Sequence, residues 1–172
     1  MPAADFYDDN VPLLAQSAIG QFEVAATPLQ MAMVAAAIGN DGVMMTPHIV
    51  ASVDDSDGRN VSTTRHVVSR TPVEFATART LTTMLANVAA NGTARNLAFD
   101  GVLVAGKTGT AESGVGDPTD AWLVGFAPVD EPRVAIAVFL QADEASGDLT
   151  GGADAAPVAR EVLRSALEEL LG

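Results

Sequence analysis

The 172-residue chain has no cysteine, which excludes disulfides, thiolate catalysis and cysteine-based metal centres. It has no long hydrophobic run either. The longest, Met31 to Ile38, falls well short of the roughly 20 residues that cross a bilayer, and the N-terminus lacks the basic-then-apolar order of a secretion signal. No anchor or signal is therefore expected in this chain. Positive charge is scarce: nine basic residues face 22 acidic ones, for a net charge of −13, and Lys107 is the sole lysine. With no basic stripe to neutralise phosphates, nucleic acid is excluded as a partner, and the acidity reads as a well-solvated surface. The two histidines, His48 and His66, have no ligand spacing between them and read as surface or strand residues, so no metal and no cofactor is expected. Repeats and dividing linkers are also absent, which leaves residues 1–172 as one unit.

What is present is enough apolar residue, 48%, for a sizeable core. Residues 1–22 show no clear periodicity and read as an irregular lead-in. "ATPLQMAMVAAAIGNDG" follows, with Thr27 as a cap, Pro28 at the first helical position and Gly39-Asn40-Asp41-Gly42 as the stop, and it predicts a buried helix. "PHIVASVDDSDGRNVSTTRHVVS" places two β-branched segments around Asp57-Gly58, a hairpin. "TPVEFATARTLTTMLANVAANGT" predicts a second helix, with a capping box from Thr71 to Glu74, apolar positions at Phe75, Leu81, Leu85 and Val88, and a stop at Asn91-Gly92. Strand-like runs occupy Val102 to Ala105, 121–128 and 133–141, the last two close enough for a hairpin, and a final helix spans roughly 154–171. The order predicts an α+β fold in which an antiparallel sheet of three strands plus a small hairpin is flanked by helices.

"GVLVAGKTGT", residues 101–110, fits two catalytic patterns. Gly101, Gly106, Lys107 and Thr108 match the phosphate-cradling pattern G-x-x-x-x-G-K-[ST]. That chemistry needs a wrapping loop before the lysine and a helix after it. Here Val-Leu-Val-Ala is strand-forming, and the residues after Lys107 are too rich in glycine and proline to begin a helix. The second pattern is Lys-Thr-Gly on a strand. An edge strand offers free N–H and C=O groups to an extended peptide, a lysine supplies positive charge, hydroxyls hold a carboxylate, and a glycine leaves room for the ligand.

The blocks "ATPLQMAMVAAAIGNDGVMMTPHIV", "NGTARNL", "AGKTGTAE", "DAWLVGFAP", "RVAIAVFL" and "GGADAAPVAREVL", in that order, resemble the C-terminal portion of the transpeptidase domain of class B penicillin-binding proteins, from about Gln16 to Leu170. The resemblance implies a partial penicillin-binding, β-lactamase-like fold. Lys107 would keep the site electropositive and help to bind the terminal carboxylate of a D-alanyl-D-alanine stem peptide or a β-lactam. Thr108 and Thr110 would hold that carboxylate with their hydroxyls, and Gly109 would keep the strand open. The backbone N–H of Thr110 would be one oxyanion-hole donor. Glu112 would lie near the cleft mouth, and Trp122 is expected to be a packing residue.

The family's Ser-x-x-Lys and Ser-x-Asn motifs do not occur in these 172 residues: Val104 stands three before the sole lysine, and no serine is followed two places on by asparagine. Ser56-Asp57-Gly58 imitates the second motif but sits in a turn. The chain is therefore expected to be a fragment of a membrane-anchored, extracytoplasmic D,D-transpeptidase that holds substrate without attacking it, and to be inactive alone. The alternative is a non-catalytic peptide-binding or interaction module. With the N-terminal half of the domain absent, self-association or strand exchange is expected to cover an open apolar surface.

Overall fold

Three antiparallel strands, β5 (Ala105–Glu112), β6 (Thr119–Ala127) and β7 (Val134–Leu140), organise the molecule in the order β5-β6-β7, and the computed structural model describes residues 4–8, 10–22, 24–112 and 117–171. The chain opens with a short 3-10 turn, Ala4–Tyr7, and helix α1, Val11–Ala18, so the segment expected to be irregular contains a helix. Buried Tyr7 ties the two together through a 3.0 Å hydrogen bond to Ser17. That contact is tertiary, and no periodicity announces it.

Helix α2, Pro28–Gly39, is bounded as its sequence requires. The Thr27 hydroxyl accepts from Gln30 N, the Gln30 side chain accepts from Thr27 N, and Pro28 occupies a position where no donor is needed. It packs across β6 and β7, yet only Ala35 and Ala37 are fully buried, while Leu29 and Val34 remain exposed. The expectation of a buried helix thus holds for one side. A helix that is apolar all round gives no clue to which side is covered.

Two short pairs follow. Met44–Met45 (β1) pairs with Val68–Arg70 (β4), and between them Ser52–Asp54 (β2) and Asn60–Thr63 (β3) form the expected hairpin. Its tip is tied by Asp55, whose carboxylate accepts from the N–H groups of Asp57 and Arg59 at 2.9 Å. Ser56-Asp57-Gly58 is this turn. The β1–β4 pair is additional to the strands expected.

Helix α3, Phe75–Asn91, begins at Glu74 without a side-chain cap, so the capping box expected from Thr71 does not form. Its fully buried positions are Ala78, Thr82 and Ala89, whereas Phe75 is exposed. Small residues let the helix approach neighbouring elements closely, which a search for large apolar positions overlooks. A 3-10 turn, Arg95–Leu97, leads to β5, Ala105–Glu112. The run Val102 to Ala105 is not a strand: Val102 makes one bridge to Phe99, and β5 starts at Ala105. Lys107 accordingly lies near the start of β5. Strand β6, Thr119–Ala127, and strand β7, Val134–Leu140, complete the sheet. A π turn, Gly151–Ala155, runs into the last helix, α4, Ala156–Leu171.

Alternation gives the sheet two faces. On one, Leu123 and Ile136 meet Leu97, Ala156, Ala159, Leu163 and Leu167, the main core. On the other, buried Phe126 lies under Gly39 of α2, but toward β5 the cover gives out.

Candidate active site

β5 is an outer strand. In-register pairing with β6 from Ala105↔Phe126 to Glu112↔Thr119 occupies one backbone edge, and the other has no strand partner among the described residues. Such an edge can accept an extended peptide. Side chains along it alternate: Lys107, Gly109 and Ala111 point to one face, Thr108, Thr110 and Glu112 to the other.

Lys107 is exposed, and its ammonium donates to the carbonyl of Thr108 at 2.6 Å. Among the described residues no carboxylate pairs with it, so its charge is available to a ligand. It opens onto a groove of about 380 Å³ walled by Gly109, Trp122 and Val124 on the sheet side, and by Ile19, Gln21, Val24 and Met31 opposite. Trp122 packs as expected, its ring 4.6 Å from that of Phe139, but it is only half-buried and also forms a wall of this groove. A methyl group on Gly109 would approach the Trp122 Cβ to 3.2 Å and meet nothing else within 4 Å. Packing therefore demands little of Gly109, and its bareness mainly leaves space in the groove.

Thr108 and Thr110 border that groove and also a second, polar one of about 540 Å³, lined by Asn91, Thr93, Arg95, Asn96 and Thr150. The hydroxyls of Thr108 and Thr93 lie 2.7 Å apart. Glu112 ends the strand, exposed, opposite Thr119. The five candidate residues thus share one strand, four of them consecutive from Lys107 to Thr110, and the two threonines stand where both grooves meet.

Sequence reasoning missed what supports this strand from behind. A Cβ on Gly151 would lie 2.2 Å from the Trp122 carbonyl oxygen and 2.8 and 2.9 Å from the Gly109 O and N, and one on Gly152 would lie 2.5 Å from the Thr93 carbonyl oxygen. Only glycine permits backbone to approach backbone so closely. Asn96 then donates to the Gly152 carbonyl at 2.8 Å, locking the π turn to the turn before β5. "NGTARNL" and "GGADAAPVAREVL" were visible as blocks, but no local rule brings them together.

A model of the penicillin-binding protein transpeptidase domain matches residues 5–164. The chain belongs to the penicillin-binding protein transpeptidase family. It is 43% identical over 159 residues to the peptidoglycan D,D-transpeptidase PbpA of Mycolicibacterium smegmatis, covering 91% of this chain and 32% of that protein. The structure of penicillin-binding protein A from M. tuberculosis as a ceftriaxone acyl-enzyme complex superimposes with a TM-score of 0.82 at 41% identity, covering 90% of this chain and 35% of that one. The D,D-transpeptidase domain from Eggerthella lenta does so with a TM-score of 0.84 at 34% identity, covering 99% and 42%. The chain spans about a third of the length of the curated relatives it matches. Its α+β architecture, with antiparallel sheets and flanking helices, is that of these structures.

Proposed function

We propose that this segment is the substrate-holding part of a peptidoglycan D,D-transpeptidase that cross-links stem peptides through a serine acyl-enzyme. The observation that carries this reading is Lys107, without a carboxylate partner among the described residues, on the outer strand of the sheet, beside a groove and next to the Thr108 and Thr110 hydroxyls. In that role Lys107 attracts the terminal carboxylate of a D-alanyl-D-alanine peptide or a β-lactam, and Thr108 and Thr110 hydrogen-bond to it. Gly109 lets the ligand backbone lie along β5, and Glu112 flanks the mouth. The backbone N–H of Thr110 serves as one oxyanion donor, a type of contact that lowers an acyl-transfer barrier by about 3 kcal/mol. Acylation also needs a nucleophile and a base, and the 172 residues contain no Ser-x-x-Lys, so the isolated chain is inactive on this reading. The site works outside the cytoplasmic membrane, where peptidoglycan is assembled. Among the described residues, no helix is long and apolar enough to cross a membrane.

Incubation of the 172-residue chain with labelled penicillin is expected to leave no covalent adduct, and an adduct would overturn the claim of inactivity. The absent motif also favours a second reading, a module that binds peptides without chemistry. Reversible retention of a stem-peptide mimic by the isolated chain supports it, and absence of retention counts against it. Exposed Ile19, Leu29 and Val34 support self-association or strand exchange across the open face, which a monodisperse monomer in sedimentation would refute.

A further inference from the structure

The neck of the β2–β3 hairpin brings together the two histidines, 18 positions apart in sequence. The segments 46–51 and 64–67 run antiparallel there, tied by Thr46 N to the Val67 carbonyl and Thr64 N to the Ala51 carbonyl, both at 2.8 Å. The Thr64 hydroxyl also donates to the Val50 carbonyl. Between these ties the His48 and His66 ring centres stand 5.5 Å apart with their planes inclined by 49°. Both side chains are exposed, and among the described residues neither imidazole is taken up by a hydrogen bond or ion pair.

Ring centres at this distance are in ordinary ring–ring contact, and the distance also matches two imidazoles that share one ion. An imidazole nitrogen lies about 2.1 Å from a bound Zn(II), and its ring centre about 3.2 Å from the ion, so two imidazoles sharing one ion at a tetrahedral-to-trigonal angle have centres about 5.2–5.5 Å apart. The inclined planes suit rings fanned about a common point better than stacked ones. No third histidine, cysteine or carboxylate joins them among the described residues, so the pair supplies one protein ligand fewer than a catalytic zinc site and leaves the remaining positions to water. We propose that His48 and His66 form a two-histidine site for a borderline divalent cation, Zn(II) in the first instance, that clamps the neck of the hairpin. The proposal is independent of the transpeptidase reading, because neither residue lines the grooves beside β5.

Zinc titration of the full chain at neutral pH, followed by calorimetry and by the NMR signals of the two imidazoles, tests it. The expected result is one Zn(II) per chain, both imidazoles shifting together, and slower amide exchange at Thr46 and Thr64. Either H48Q or H66Q should weaken binding by about 100-fold, because the second ligand otherwise binds as an intramolecular step. Both residues are exposed, so circular dichroism should show the variants folded. D57N, at the hairpin tip, should bind as the unsubstituted chain does. Zinc uptake unchanged by both histidine substitutions, one ion bound independently at each histidine, or no uptake would each overturn the proposal.

Discussion

The two faces of the three-stranded sheet come from the same strands by simple alternation, yet they are finished differently. One presses Leu123 and Ile136 against α4 and the turn at Leu97, with hardly an atom exposed. The other is roofed by α2 only over β6 and β7, and at β5 it carries a lone ammonium, a bare glycine and a half-buried indole around a groove. The first face accounts for stability. The second leaves apolar surface uncovered around the groove, as the proposed substrate-holding role requires. The two meet at the backbone of Gly109, where Gly151 presses from the packed side.

That division can be broken in graded ways. Leu123→Ala, in the packed face, should cost about 2–5 kcal/mol in urea unfolding, through lost transfer energy and the cavity left behind. A loss comparable to that of a surface substitution would mean the core lies elsewhere. Gly151→Ala should cost about 1–3 kcal/mol, since backbone on both sides must shift to admit the methyl group. It should also disturb the amide resonances of Gly109 and Trp122, and if those stay in place the buttress does not bear on the strand. Lys107→Ala should change stability by no more than about 0.5 kcal/mol while abolishing any retention of a stem-peptide mimic. A large loss of stability would assign the lysine to the fold instead of the site.

The smallest effect belongs to the outer surface of α4. Hydrogen bonds from Arg164 and then Arg160 hold the Glu161 carboxyl below its ordinary pKa. A depressed folded-state pKa contributes stability above the unfolded value and loses it as the pH falls through the folded one. Glu161→Gln should therefore lose slightly less stability than the parent chain as the pH falls through the acid range, and the difference between the two should shrink in high salt, which screens exposed ion pairs. Equal acid sensitivity of the two proteins would count against the ion pair.

Much of the fold was legible locally. The Thr27–Gln30 box and Pro28 set the start of α2, Asp57-Gly58 marked the hairpin tip, and Lys-Thr-Gly was found on a strand with a free edge. The failures share a cause. The capping pattern from Thr71 was overridden, α1 is held by the Tyr7–Ser17 contact, and β5 begins where pairing with Phe126 begins and not where the apolar run does. Each of these is settled by a partner distant in sequence.

Local pattern was sufficient for the fold class and the strand that bears the candidate site, because turns, caps and strand-forming runs act within a few residues, while the family was legible as a resemblance of six ordered blocks. They could not tell which sheet face would close, that glycines 151 and 152 would brace Gly109, or that His48 and His66 would meet. Those outcomes depend on backbones and side chains brought together by the collapse of the whole chain, and close packing acts on distance in space without regard to distance along the sequence.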